Sequence, residues 1–388
     1  MILGKVGNRS FNTSELKVDT GSKQPDTLVK SALLTTLAGY LEEDKIEIYD
    51  RRFYPKEKLD SFLSYIISDK RAAPRKFNLD IKFRGEVTKN AKPPKSNGGN
   101  SLDGIVLFSG GLDSTAGLIL VSNAGLNIRP LWVNFGQKNA AEEEFIVRKL
   151  SKKLGFEPIV VTVNLQRYVD EGWSNWKYGI IPARNFLFTT LAAEILSRST
   201  KNTLFIYLCA HKDEITPENY DKSARFFRTC SKIFTKLYDK NIIVTTPLYN
   251  YTKPEVISYW SRKWEKDLAI GPSNTTSCYY GNNCGECKAC INRAISYCVA
   301  GIPEEDYLVS PFKDTKRIFR DHYADRFERL TIDRKLGYLY ALKKNQNLIP
   351  EELRNSILNK YYSKYRKRII EYISQIRSTD IKLEEIVF

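Results

Sequence analysis

Val106-Leu107-Phe108-Ser109-Gly110-Gly111-Leu112-Asp113-Ser114-Thr115 decides how this chain is read. An apolar run at residues 105–108 meets a pair of glycines, and behind them Asp113-Ser114 opens an apolar-periodic segment over 115–121. The pattern predicts strand, tight turn, helix. Adjacent glycines let backbone N–H groups turn on a ligand without interference from Cβ, and a helix N-terminus adds roughly half a positive charge at the same spot. Together they form a cradle for an anion. No G-x-x-x-x-G-K-[ST] run occurs in the 388 residues, so a different way of holding phosphate is expected.

Outward from this bend the chain alternates strand and helix, as a parallel sheet requires. Strands are expected at 104–108, 129–134, 158–163, 203–210 and 242–246, with helices at 114–123, 140–154, 183–199 and 221–237. Ligands of such sheets bind beyond the carboxyl ends of the strands. Four segments there carry chemistry. Phe135-Gly136-Gln137-Lys138 offers close backbone approach at Gly136 and a donor-acceptor amide for a base edge at Gln137. Pro182 fixes a helix start that aims Arg184 and Asn185. His211-Lys212-Asp213-Glu214 is a titratable cluster, and Lys253-Pro254-Glu255 opens a further helix.

Cys278, Cys284, Cys287 and Cys290 stand at C-x5-C-x2-C-x2-C spacing, four of the seven cysteines within thirteen residues. Thiolates this close can wrap one tetrahedral ion, with zinc the first choice and an iron–sulfur cluster the alternative. Four sulfur ligands close the site, so its role is structural, fixing the helix expected at 292–300. Cys209, Cys230 and Cys298 read as small core residues.

The net charge of +16, from 61 Lys+Arg against 45 Asp+Glu, favours anionic partners. The sequence has no apolar run of ~18 residues and no basic-then-apolar leader, which predicts a cytoplasmic chain without a membrane partner. Residues 1–100 predict an accessory α+β unit for docking or oligomerisation, with helices at 26–41 and 59–67, strands at 46–49 and 77–83, and a Lys/Pro/Ser/Asn/Gly-rich linker at 90–100. Residues 304–388 predict a basic helical extension, in which Lys313, Lys316, Arg317 and Arg320 precede a Lys/Arg/Tyr run over 360–368. Spacing by four turns Ile357, Tyr361, Tyr365 and Ile369 inward; gripping nucleic acid is the less favoured reading.

Ser-Gly-Gly-Leu-Asp-Ser resembles the pyrophosphate loop of the PP-loop ATPases. With Phe-Gly-Gln-Lys, Ile-Pro-Ala-Arg-Asn, Thr-Pro-Leu and Cys-Gly-Glu-Cys-Lys-Ala-Cys in that order, the stretch over about 103–300 is similar to the QueC family. The resemblance implies a parallel-sheet, HUP-like nucleotide-binding domain over 101–303 with a zinc knuckle. It implies adenylation of 7-carboxy-7-deazaguanine by ATP, then amide and nitrile formation with ammonia. Ser109, Gly110, Gly111, Asp113, Ser114 and Thr115, with Phe135, Gly136 and Gln137, would hold ATP and Mg²⁺. Asp113, Arg184 and Lys253 would be catalytic, the two cations offsetting charge, and Arg184, Asn185, His211, Lys212 and Asp213 would meet the substrate. Cys278, Cys284, Cys287 and Cys290 would ligate Zn²⁺.

Residues 213–222 lack the Tyr-Pro-Asp-Cys element of QueC, and Asn139 stands where QueC has a histidine. Enlarged QueC-like proteins of the QatC type, found in anti-phage defence operons, are the branch this chain looks most like. That likeness implies transfer of the activated acid to an amine of a partner protein. A tRNA-modifying PP-loop enzyme and a nucleotide-binding scaffold without turnover are the rival readings.

Overall fold

The computed structural model describes residues 2–12, 27–49, 56–69, 73–84, 101–137, 139–163, 181–217, 219–278, 283–303, 306–312, 327, 330–349, 351 and 354–383. The expected linker at 90–100 and the side chains of Lys138, Lys313, Lys316, Arg317 and Arg320 lie outside them.

The N-terminal unit is a four-stranded sheet carrying two helices. A hairpin of β1 (Ile2–Val6) and β2 (Arg9–Asn12) turns at Gly7, whose φ is 55°. Helix α1 (Thr27–Leu41), β3 (Lys45–Tyr49), α2 (Lys56–Ile67) and β4 (Asp80–Arg84) follow, giving the order β2-β1-β3-β4. The strand expected at 77–83 starts later. The Phe77 and Leu79 amides donate to Ser68, just past α2, and to Ser64 of α2 at 2.8 Å each, so these donors are not available to a strand partner. The hairpin was not expected, because Val6 and Phe11 alone among its described side chains are buried, too few to make a pattern.

The central sheet comprises β5 (Gly104–Leu107), β6 (Ile128–Asn134), β7 (Ile159–Thr162), β8 (Thr203–Tyr207) and β9 (Asn241–Thr245). Its order is β7-β6-β5-β8-β9 and every pairing is parallel. The chain therefore leaves β5 in one direction and returns to its other side at β8, which puts the topological switch point at the end of β5. Ile105 and Leu107 enter one core while Val106 and Phe108 enter the other, as the two-residue period of a strand buried on both faces demands.

Helices α3 (Leu112–Ser122), α4 (Ala140–Lys153), α5 (Arg184–Leu196) and α6 (Ala224–Tyr238) alternate with these strands. Several expected boundaries move, among them the start of the helix expected at 292–300, which begins at Lys288, and two have a visible cause. The strand at 203–210 stops at Tyr207, because the Ala210 amide turns back to the Leu208 carbonyl at 2.6 Å. The helix at 221–237 begins at Ala224, because Ser223 caps it by accepting the Phe226 amide at 3.2 Å.

The first core runs without a break from α1 and α2 into the sheet. Phe62 packs edge-on to Phe186 of α5 at 5.7 Å, and Val29, Leu33 and Leu37 of α1 are fully buried. Each such side chain contributes about 1.5–3 kcal/mol. The N-terminal unit thus shares a core with the central sheet.

Beyond β9 come α7 (Lys253–Arg262), α8 (Trp264–Leu268), α9 (Lys288–Ala300), α10 (Ile332–Lys344) and α11 (Asn359–Ser378). The last three share a separate core. Ile357 and Ile369 are buried there as expected, with Tyr361 and Tyr365 half-buried against it. The chain then crosses α7, where Arg262 donates to the Thr379 carbonyl at 2.6 Å. Among the described residues no helix is long and apolar enough to cross a membrane.

Candidate active site

The bend between β5 and α3 has the conformation its glycines predict. Gly110 holds φ at 68°, and a Cβ there would lie 2.8 Å from Ile146. Gly111 is the N-cap of α3 and supplies no side-chain hydrogen bond, so the first-turn N–H groups remain for a ligand. Ser114 donates to the Gly111 carbonyl at 3.1 Å and stands 3.3 Å from the Ser109 hydroxyl; Thr115 donates to the same carbonyl at 2.8 Å.

Asp113, in the first turn of α3, pairs with Lys253 at 2.8 Å. Lys253 is aimed by a capping box at the start of α7, where the Thr252 amide and hydroxyl donate to Glu255 at 2.7 and 2.8 Å. The C-terminal chain braces this box: Thr379 donates to the other Glu255 oxygen at 3.1 Å, and Tyr372 shares a hydrogen bond with Thr252.

Beyond β8, His211 and Glu214 close on Asp113, each with a polar atom within 4.8 Å of it, and Asp213 stands beside His211. The Nδ1 of His211 lies 3.8 Å from Asp213 and its Nε2 lies 3.8 Å from Glu214. Glu214 also pairs with Lys222 at 2.8 Å. Burial pushes the His211 pKa below its ordinary value of 6.5. Burial alone would raise that of Glu214, but Lys222, His211 and Lys253 outweigh it and hold the carboxyl well below the usual range. Glu214 was read from sequence as part of the titratable cluster but given no role, and Lys222 was not singled out. Their signal was their place after a parallel strand, within a segment dense in charge.

Other expected residues have different surroundings. Lys212 turns away to Asp333 of α10 at 3.0 Å. Both ends of the Gln137 amide are engaged within the protein, accepting from the Phe135 amide at 3.0 Å and donating to Glu143 at 2.8 Å, which leaves the base-edge role unsupported. Gly136, at φ 86°, keeps its close-approach geometry. Arg184 is exposed at the start of α5, with Ala183 rather than Pro182 as the cap, while Asn185 is buried and donates to the Asp221 carbonyl at 3.4 Å.

The four expected sulfurs converge within 4.8 Å of one another, Cys284 and Cys290 at 4.0 Å. Zn–S bonds of ~2.3 Å place tetrahedral sulfurs about 3.8 Å apart, so the set fits zinc. The amides of Cys284, Cys287 and Cys290 donate to the sulfurs of Cys278, Cys284 and Cys287 at 3.4, 3.3 and 3.5 Å. The knuckle is tied to the bend. Arg293 of α9 is buried and donates to Thr275, Ser277, Tyr297 and the Pro272 carbonyl, while the amide of Thr276 donates to the Gly110 carbonyl at 3.2 Å.

This arrangement coincides with a family match. The profile described as "Queuosine biosynthesis protein QueC" covers residues 103–301, from the start of the sheet to the end of α9. The chain belongs to the QueC family. Among its relatives, the 7-cyano-7-deazaguanine synthase of Methanocaldococcus jannaschii is 24% identical over 228 residues, which is 52% of this chain and 97% of that protein. The same enzyme of Myxococcus xanthus is 29% identical over 223 residues, 52% of this chain and 94% of its own length. A solved structure titled as a subunit of a tRNA methyltransferase from M. jannaschii, 20% identical, covers 45% of this chain and 92% of its own with a TM-score of 0.29, too low to bear on the argument. The QueC relatives are thus matched nearly end to end, and the N-terminal unit and α10–α11 are additions to them.

Proposed function

We propose that this protein uses ATP to adenylate a 7-deazaguanine carboxylate of the 7-carboxy-7-deazaguanine type, and then forms a C–N bond at the activated carbon. The observation that carries this reading is the uncapped start of α3 with Asp113 and Lys253 paired at its mouth. N–H dipoles and a cation meet where pyrophosphate must be held. A carboxylate is a poor acceptor because oxide would have to leave, whereas AMP leaves readily. In the first step a carboxylate oxygen bonds to the α-phosphorus and pyrophosphate departs. In the second an amine bonds to the acyl carbon, AMP departs with that oxygen, and the amine loses a proton. Fixed dipoles that offset charge at the departing phosphate stabilise both steps. Ser109 and Ser114, at the bend, would face the Mg²⁺ that accompanies ATP and neutralises pyrophosphate; zinc in the cysteine knuckle would be structural.

The acceptor we favour is an amine of a partner polypeptide, the reaction implied for the enlarged anti-phage defence branch. Both added units reach the catalytic machinery: α1 and α2 share its core, Asp333 holds Lys212, and Thr379 holds Glu255. Ammonia is the second reading: it would give the amide, whose oxygen a second ATP would activate and carry away to leave 7-cyano-7-deazaguanine (preQ0), and it is favoured by the near-complete match to synthases of that name. A tRNA thiolase needs a reactive thiol outside the knuckle. Burial pushes the thiols of both Cys209 and Cys230 up, which disfavours it.

Incubation with ATP, Mg²⁺ and 7-carboxy-7-deazaguanine tests the proposal by mass spectrometry. AMP and pyrophosphate are expected, with added mass on a polypeptide for the first acceptor and a small-molecule nitrile for the second. Release of orthophosphate alone would overturn it.

A further inference from the structure

The cluster at the end of β8 holds more negative than positive charge. Three carboxylates, Asp113, Asp213 and Glu214, stand against two ammonium groups, Lys253 on Asp113 and Lys222 on Glu214, with His211 between Asp213 and Glu214. Lys253 contacts one oxygen of Asp113, Oδ2; the other, Oδ1, is buried with no hydrogen-bond partner among the described residues. The side chain of His211 is only 4% exposed, and its Nδ1 likewise has no hydrogen-bond partner. Asp113, His211 and Glu214 each present a ligand atom within 4.8 Å of the others.

The geometry points to a second metal site, in which Asp113, His211 and Glu214 take one first-row divalent cation of the manganese type. Two carboxylates and an imidazole on one side of an ion leave its remaining positions open, and a nitrogen ligand favours such an ion over magnesium, which prefers oxygen alone. The imidazole is oriented for this. Its Nε2 lies on the Glu214 side, and Nδ1 stands 3.8 Å from Asp213, the carboxylate that would steady a ligating histidine. An added cation also offsets the excess carboxylate and gives the buried Oδ1 a partner, two costs the cluster otherwise bears. Because Asp113 lies in the first turn of α3, the open positions fall beside the bend.

The proposal does not depend on the deazaguanine reading, and its test contains no nucleotide. The full-length, zinc-loaded protein is titrated with Mn²⁺ and followed by electron paramagnetic resonance. One Mn²⁺ should bind in addition to the zinc, with nitrogen coupling in the pulsed spectrum of the unmodified protein. Mg²⁺ should compete at least ~10-fold less well. Glu214→Gln should weaken Mn²⁺ binding by about 10-fold or more and Asp213→Asn by about 10-fold, each with zinc content and circular dichroism unchanged. Absence of bound Mn²⁺, bound Mn²⁺ without nitrogen coupling, equal competition by Mg²⁺, or unchanged affinity in folded Glu214→Gln protein would each overturn it.

Discussion

Two places in this molecule turn polar groups on negative charge, and they differ in what supplies the charge. At the knuckle the chain supplies both sides: amides of Cys284, Cys287 and Cys290 donate to its own sulfurs. At the bend, Gly111 leaves the start of α3 uncapped, and Asp113 Oδ1 and His211 Nδ1 lack hydrogen-bond partners among the described residues. A closed site commits its groups to the fold; an open one holds them for a ligand. The largest expected effect follows from the closed side. Cys287→Ser, or stripping the metal with a chelator, should lower the melting temperature by on the order of 10 °C and remove stoichiometric zinc. Gly285→Ala should do nearly as much, since a Cβ there would lie 1.6 Å from the Val309 carbonyl oxygen at a φ of 79°. A melting temperature indifferent to chelation would erase the contrast.

The open side should respond in the opposite sense. Asp113→Asn and Lys253→Met remove charge from the mouth of the bend while leaving the hydrophobic cores intact. AMP formation should fall about 10²–10³-fold, with a melting temperature within about 2 °C of the parent. A calorimetric scan beside an AMP assay separates the outcomes. Loss of stability matching the loss of rate would place the pair in the fold rather than the chemistry.

A smaller effect comes from pH. His211 is held below its ordinary 6.5, so the unfolded chain binds the proton more readily than the folded one. Its contribution to stability is therefore complete above 6.5 and is lost as pH falls from there through the folded value. Glu214, held below its ordinary 4.5, acts the same way further down. Melting temperature should fall more steeply below pH 6.5 in the parent than in His211→Asn. Equal slopes would mean that the imidazole is not shielded.

These contrasts also explain what was legible in the sequence. The strand–bend–helix unit was readable because Ile105, Val106, Leu107 and Phe108 are apolar on both faces and two glycines follow, a combination few other local structures require. The cysteine spacing was readable for a similar reason: its ligands come from one short stretch. The cluster around Asp113 was only half visible. Its members sit at positions 113, 211, 213, 214, 222 and 253, and it is strand order, not spacing, that brings them together. The inward turn of Gln137 depends on Glu143, a helical residue whose pattern reads as solvent-facing. The N-terminal hairpin was missed because so little of it is buried.

Lys212 provides the finest test of where the open site ends. By sequence it stands between His211 and Asp213, yet its ammonium bonds Asp333 on α10 at 3.0 Å, with half of its own side chain exposed. An ion pair that wet is worth less than about 1 kcal/mol, because water screens it and two long side chains must be held in one geometry. Lys212→Ala should therefore shift the melting temperature by no more than about 2–4 °C, and AMP formation should stay within about twofold. If the rate instead fell more than ~10-fold with the fold unchanged, Lys212 would have to swing toward the bend during turnover. In that case Asp333 would be a resting partner, and α10 would belong to the catalytic cycle as well as to the scaffold.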